Sequence, residues 1–426
     1  MAALELSSGG TATTSHTIYN IDGALKEHYK PQRIKEMSYK NNPLLALMPK
    51  YERFGGENLP IPIIVTGPQR RSADFSSGQG NASTSEIRQF LLTRAKDYSF
   101  AQISHEAIRA SASNTDAFVR YATMEIDGAI HSLKRSLAVA MYRDGTGSIG
   151  TVAGDDAAGT DPDGGSALCY VVNAADITNF EVGMQIDFFA NSGGAPSGSA
   201  RAGGPYTISK VSRGGTQPFI TFSGALNSAV ANTDHLVQFG DKDAKMKGLD
   251  AWVPSSAPSA DLHFGVDRTA DTTRLGGVRF DGSALPIEEA LIGGASEIAR
   301  EGGAPDHIFM DFASYSNLEK ALGSKVQYDK VASNDADVGF DALVVNGPRG
   351  RMKVIPDHNC QPNVAWMLQL DTWSLNSLGA APQILNADDA GQMLRVYNAD
   401  AYEVRVGFYG NVACAAPGYN CRIALA

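Results

Sequence analysis

The chain has 426 residues, of which 43 % are hydrophobic and only 19 % charged, with a formal net charge of −10. That length admits two or three domains with a sizeable core, and the acidic balance excludes a general basic grip on nucleic acid. No apolar run is long enough to span a bilayer as a helix, and the opening MAALELSSGGTATTSH lacks the pattern of a secretion signal.

Residues 1–50 read as an arm. A Ser/Thr/Gly-rich start leads to a short basic stretch, Leu25–Lys30, then Pro31, then the apolar patch Leu44–Met48. Leu44 and Leu45 need a surface to cover them, either their own domain or a neighbouring molecule. From Tyr51 to Phe100 the pattern turns to strands. Leu59-Pro60-Ile61-Pro62-Ile63-Ile64-Val65 carries two prolines, which cannot donate to a ladder, so the run belongs on an edge or a projecting hairpin. Arg70–Asn81 is polar and glycine-rich and reads as the tip of that hairpin. Ile87–Phe100 returns as a strand, with Phe90, Leu92, Tyr98 and Phe100 spaced mostly by twos. A free two-stranded hairpin is marginal in water and needs something to lie on.

From about Thr115 to Met141, apolar residues recur at Phe118, Ala122, Ile126, Ala129, Ile130, Leu133, Leu137, Ala140 and Met141. Steps of three and four define one face of a helix, here about 40 Å long at about 1.5 Å per residue. Ser113 and Asp116 form a capping box at its start, and Gly145 suits a left-handed stop at its end. Gly145-Thr146-Gly147-Ser148-Ile149-Gly150 has the GxGxxG spacing of a dinucleotide loop. Such a loop must follow a strand and open a helix. Here the glycines follow a helix, where a phosphate would meet the negative end of the dipole. The segment is a strut that stops, not a cofactor cradle.

Residues 148–248 read as a separate β unit. Thr151–Ser166 is a Gly/Asp/Ala loop. Short strands at Ala167–Val172, Met184–Phe189, Pro205–Val211, Phe219–Phe222 and His235–Phe239 then suggest a small barrel or sandwich. Asn191–Gly204 reads as a mobile hairpin tip, and Asp250–Pro258 leads back to the main body. Pro286 opens a helix through Arg300, with Ile287, Leu291, Ile298 and Ala299 inward and Gly302-Gly303 ending it. A strand at Pro305–Met310 and a helix at Tyr315–Leu322 follow. Strands are expected at Leu343–Val345, Arg351–Ile355, Val364–Leu370, Met393–Tyr397 and Tyr402–Tyr409. The class is α+β, not a βαβ repeat.

No convergent set of acid, base and nucleophile emerges, which argues against an enzyme. His105-Glu106-Ala107-Ile108-Arg109 lacks the second histidine of a zinc-protease motif. Asp155, Asp156, Asp161 and Asp163 lack EF-hand spacing, so a solvated loop is expected rather than a metal site. The cysteines, Cys169, Cys360, Cys414 and Cys421, show no C-x-x-C pairing and read as reduced buried thiols. Spacing alone cannot support a Cys414–Cys421 bridge. Arg70-Arg71 and Lys134-Arg135 are either solubilising pairs or ion-pair contacts with another copy.

The order of arm, projecting hairpin, long helix ending in Asp144-Gly145-Thr146-Gly147, and α+β body closing on Tyr402–Tyr409 resembles the major capsid proteins of tailed double-stranded-DNA phages. This is the Hong-Kong-ninety-seven-type fold, shared with encapsulin compartments. Phe54–Pro62, Tyr142–Gly147, Ala304–Met310 with Tyr315 and Leu318, and Tyr402–Tyr409 carry the likeness. It implies an N-terminal arm (1–50), an extended hairpin loop (51–98) and a peripheral domain with a spine helix (99–147). An inserted β domain (148–248), a peripheral return (249–284) and an axial domain (285–426) follow. It further implies hexamers and pentamers around double-stranded DNA, the heterologous contacts closing into rings. By the same likeness a separate scaffolding protein, a portal and a decoration protein become partners, with no cofactor, no metal and no membrane. Contact between copies is expected at Leu44, Leu45, Arg70, Arg71, Asp74, Phe75, Lys134 and Arg135. Some family members weld a hairpin lysine to a neighbour's asparagine. There is no lysine between Tyr51 and Arg94, so the shell is expected to be non-covalent. The alternatives are an encapsulin-like compartment and a β-rich tail or receptor-binding protein.

Overall fold

The computed structural model describes residues 42–80, 83–106, 121–155, 168–171, 173–214, 218–259, 262–322, 328–333, 336–385 and 394–426. Residues 1–41, the Ser113/Asp116 capping box and Asp156, Asp161 and Asp163 lie outside them. The proline-bearing run forms the hairpin. After the short helix α1 (Pro43–Leu47) and strand β1 (Lys50–Tyr51), β2 (Leu59–Thr66) reaches a helical turn, α2 (Phe75–Gly80), and returns as β3 (Glu86–Leu92). The register sets Leu59 opposite Leu92 and Ile64 opposite Ile87. The return is not one strand to Phe100. It breaks at Thr93-Arg94, and β4 (Ala95–Ser104) follows. Arg94 donates to the carbonyl oxygens of Phe54 and Gly56 and stacks over the Phe54 ring, so the chain cannot stay straight there.

The long helix, α3, is described over Tyr121–Tyr142, 22 residues. Its end agrees with the sequence reading, and Gly145 beyond it has a φ of 92°. The next segment is a strand and not a loop: β5 spans Ser148–Asp155. With β6 (Leu168–Val171), β7 (Gln185–Ser192), β8 (Ala195–Ser197), β9 (Tyr206–Ser212), β10 (Phe219–Phe222) and β11 (His235–Gln238) it makes a sheet of order β11-β5-β6-β10-β9-β7-β8. β11 also pairs with β7, which closes an antiparallel barrel and leaves β8 as an added edge. Phe188, Tyr206 and Phe222 meet edge-to-face inside it, at 5.6–5.9 Å. Asn191–Gly204, expected as a mobile tip, is ordered in part. Gly193 and Gly194, both at positive φ, turn β7 tightly into β8.

After the barrel, α4 (Leu249–Trp252) and the short pair β12 (Leu262–His263) and β13 (Val266–Asp267) precede β14 (Val278–Asp281). α5 (Ile287–Glu301) begins after Pro286 and stops at Gly302 in the left-handed region, φ 99°. Its buried residues are Ala290, Leu291, Gly294, Ala295 and Ile298, so Ala295, not Ala299, completes the inward stripe. β15 (His307–Met310), α6 (Phe312–Leu322), β16 (Tyr328–Ser333), β17 (Ala336–Gly347), β18 (Gly350–Pro356) and β19 (Val364–Leu368) follow. The chain ends with β20 (Trp373–Ser377), β21 (Gln383–Ile384), β22 (Leu394–Arg395), β23 (Ala401–Cys414) and β24 (Cys421–Ala424). A seven-stranded mixed sheet of order β14-β24-β19-β15-β18-β17-β16 carries α5 and α6, and Leu291, Ile298, Ile308, Leu318, Met367 and Ile423 share its core. Cys421 is in that core, while Cys414 pairs across from Trp373. Both are free thiols, and burial pushes the Cys414 thiol up to about 12.

The chain divides into two compact units. Among the described residues the smaller comprises 98–106, 121–134, 382–385 and 394–407. In it β21 and β22 pair with the first half of β23, and His105 packs its ring on Tyr402 at 5.4 Å. The larger comprises Asn41–Asp97, Arg135–Ala381 and Phe408–Ala426 and holds the hairpin, the barrel and the seven-stranded sheet.

Candidate assembly interface

The hairpin has two apolar faces because β2 is apolar at nearly every position. One face is covered by the chain itself. Phe90 and Leu92 are fully buried, Phe90 meets Trp252 edge-on at 5.0 Å, and the Leu91 amide donates to the Phe264 carbonyl at 3.0 Å. The surface this hairpin needed is therefore in part its own body. The other face is bare. Ile64 is 69 % exposed and Ile87, opposite it, 61 %; Pro60, Pro62 and Leu91 continue the stripe. A contiguous apolar strip on a two-stranded ribbon is the kind of surface that marks an association site. This stripe was missing from the expected contacts, yet its signal stands in the sequence. An uninterrupted apolar run, unlike an alternating one, is covered on both faces.

At the tip, Phe75 is 83 % exposed beside the exposed Arg70 and Arg71. Asp74 is turned inward on its own backbone. It accepts from the Ser77 amide and from the Ser76 and Ser77 hydroxyls, so it caps α2, and these bonds hold its pKa below the usual carboxylate value. Leu44 is only 1 % exposed and is spent in its own core; Leu45 is half-buried. The patch read as wanting cover is largely an ordinary short helix packed on its own unit. Lys134 is exposed. Arg135 is committed within the chain, to Glu181 at 2.5 Å. Of the eight expected residues, the structure groups Arg70, Arg71 and Phe75 on one tip and takes Leu44, Asp74 and Arg135 for internal contacts.

A polar cavity of about 200 Å³ lies where α3 ends against the barrel. Arg143, Asp144, Asp176, His235, Asp250 and Gln361 line it. Arg143 pairs with Asp176 at 2.6 Å. Burial works against the Arg143 charge, but Asp176, then Asp250 and Asp144, outweigh it and raise its pKa. Burial lowers the His235 imidazole and raises the Asp250 carboxyl. Among the described residues no three metal-ligating side chains gather, and no helix is long and apolar enough to cross a membrane.

The capsid asymmetric unit of cyanophage A-1(L) has the same fold. The TM-score is 0.52 at 11 % identity, over 92 % of this chain and 94 % of that one. Residues 224–392 match the SU10 major capsid protein family. The chain is thus similar to tailed-phage major capsid proteins, in sequence over 224–392 and in fold over most of its length. Both likenesses point to a capsid shell protein, a virion component whose copies join to one another as capsomers. Looser likenesses include a structure from Mycobacterium phage Ogopogo (TM-score 0.44, 9 % identity, 96 % of this chain and 99 % of that one). The capsid of a native GTA particle aligns at TM-score 0.47 and 7 % identity, over 98 % and 100 %. No curated protein matches the sequence. The capsid family match favours the shell over the compartment and tail-protein alternatives.

Proposed function

We propose that each copy lays the bare face of its hairpin, Pro60, Pro62, Ile64, Ile87 and Leu91, on the next copy, closing hexamers and pentamers of a shell around double-stranded DNA. The observation that carries this is an apolar stripe left uncovered on a ribbon whose other face is already packed. Arg70, Arg71 and Phe75 extend the contact at the tip. The acidic chain holds its DNA without sequence readout, and the many modest contacts sum through multivalency. A separate scaffolding protein, a portal and a decoration protein on the barrel complete the assembly, which takes place in the host cytoplasm.

Ile64→Asp with Ile87→Asp should leave a folded chain, because both side chains lie on the bare face, and should abolish particles. Light scattering of the purified variant would show a monomer or small oligomer in place of megadalton shells; particles equal to the parent's would refute the assignment. Mature particles should also dissociate to a single 45.1 kDa band on a denaturing gel. A ladder of cross-linked species would overturn the non-covalent reading.

A further inference from the structure

The packed face of the hairpin rests on an aromatic box with a histidine in it. β12 turns into β13 through Phe264 and Gly265, both at positive φ, with His263 opposite Val266. That turn supplies the carbonyl that receives the Leu91 amide. The His263 ring lies 4.7 Å from Trp252, 4.6 Å from Phe264 and 6.0 Å from Phe90, so it touches both the body and β3. It is 5 % exposed, and its Nε2 has no hydrogen-bond partner among the described residues.

The charges facing it are cations. Lys247, just before α4, holds its ammonium 4.8 Å over the Phe264 ring. Arg268, just past β13, donates to the carbonyls of Ala251 and Trp252. The carboxylates of the surrounding elements are engaged elsewhere. Glu86 on β3 binds Arg88, Asp250 on α4 accepts from Gln361, Asp267 on β13 binds Thr269, and Asp271 accepts from Thr273 and Arg274. We propose that His263 is an acid-sensitive latch: a proton on its ring drives it from the box and frees the β2–β3 hairpin from the body. Burial, then Arg268 and Lys247, push its imidazole well below the usual value. The folded pKa thus lies under the unfolded one. Docking is at full strength above about pH 6.5 and weakens as pH falls from there towards the folded pKa. The latch acts within one chain and does not depend on what covers the hairpin's other face.

Hydrogen exchange of the full-length protein at pH 7.5, 6 and 5, corrected for intrinsic rates, tests this. Amides of 59–66 and 86–92 should lose at least about tenfold protection by pH 5 while 307–310 and 364–368 keep theirs, a contrast expected of local opening. His263→Phe should hold the hairpin amides within about twofold of their neutral-pH protection. Lys247→Gln, which removes one facing cation, should move the half-loss to lower pH. Hairpin protection retained in the parent at pH 5, or lost equally in His263→Phe, would overturn the latch. Should His263→Phe fail to fold, an unchanged half-loss in Lys247→Gln overturns it. Burial lowers the imidazoles of His235 and His358 as well, so the variants also separate hairpin release from acid unfolding of the whole chain.

Discussion

Gly248→Ala is expected to remove most of the folded chain, although it adds one methyl group. Gly248 is where the chain leaves the barrel and crosses the end of α3. A Cβ built there falls 2.2 Å from the Met141 carbonyl oxygen and 2.3 Å from that of Ala140. Both are backbone atoms in the last turn of a helix, so neither can swing aside as a side-chain tip would. The Gly248 amide also donates to the Arg143 carbonyl at 2.9 Å, which pins the two segments together. Relief requires the helix end and the barrel return to separate. That exposes Leu249 and Trp252, both fully buried. The cost is on the order of 4–5 kcal/mol, in the diagnostic tail for single substitutions and a large fraction of a typical 5–15 kcal/mol total of about that size. Gly224→Ala is the control: open space surrounds its added Cβ, and the change should stay within about 0.5 kcal/mol. Denaturant unfolding of the two variants beside the parent measures the contrast. Equal midpoints for Gly248→Ala and Gly224→Ala would show that the crossing gives way more readily than its backbone contacts imply.

The same crossing shows why parts of the fold were readable in the sequence and others were not. Local signals carried α5, because Pro286 and Gly302 act within one turn of its ends, and carried the barrel strands after Leu168, whose apolar pattern and turn residues are adjacent in sequence. The segment of β5 has the composition of a loop. Gly150 and Gly154 weaken its strand pattern, and what makes it a strand is pairing on both sides, with β6 and with β11 some 80 residues on. The strand pattern allows a barrel or a sandwich, and only the pairing of β11 with two partners decides for the barrel. Composition places the hairpin tip correctly but does not show its helical turn. Ser76-Ser77-Gly78-Gln79-Gly80 is loop-like, and one carboxylate, Asp74, organises it into a helical turn. In the interface, the charge and aromatic content of the tip was legible, but the stripe through Ile64 and Ile87 needed the strand register. Leu44 shows the converse error. An apolar patch cannot announce whether its cover is the same chain or another.

Arg143→Met should cost about 3–5 kcal/mol, because it strands a buried carboxylate. Asp176 lies within the 3₁₀ turn Ala174–Asn179 on the barrel, and its side chain is 6 % exposed. Arg143 Nη2 lies 2.6 Å from it, and the other polar contact of that carboxylate is a long one, 3.4 Å from Asn173 Nδ2. The pair spans the junction between the end of α3 and the barrel, so the loss should appear in both. Asp176→Leu alone should also destabilise, since it leaves the buried guanidinium beside only Asp144 and Asp250. The double variant, Arg143→Met with Asp176→Leu, should recover most of the stability, because a well-packed apolar pair is often no worse than a buried ion pair. A double-mutant cycle by denaturant unfolding gives the coupling directly. Additive losses near about 1 kcal/mol each would mean that the cavity's water screens the pair as it would on a surface. The position of this cation also bears on the glycine run that follows it. A helix end favours positive charge at its C-terminus. The chain has put Arg143 there and ringed it with Asp144, Asp176 and Asp250. An anion brought to Gly145–Gly150 would meet those carboxylates as well as the dipole. The glycines there instead turn the chain from a rigid helix into the first barrel strand, and Arg143 fastens the turn.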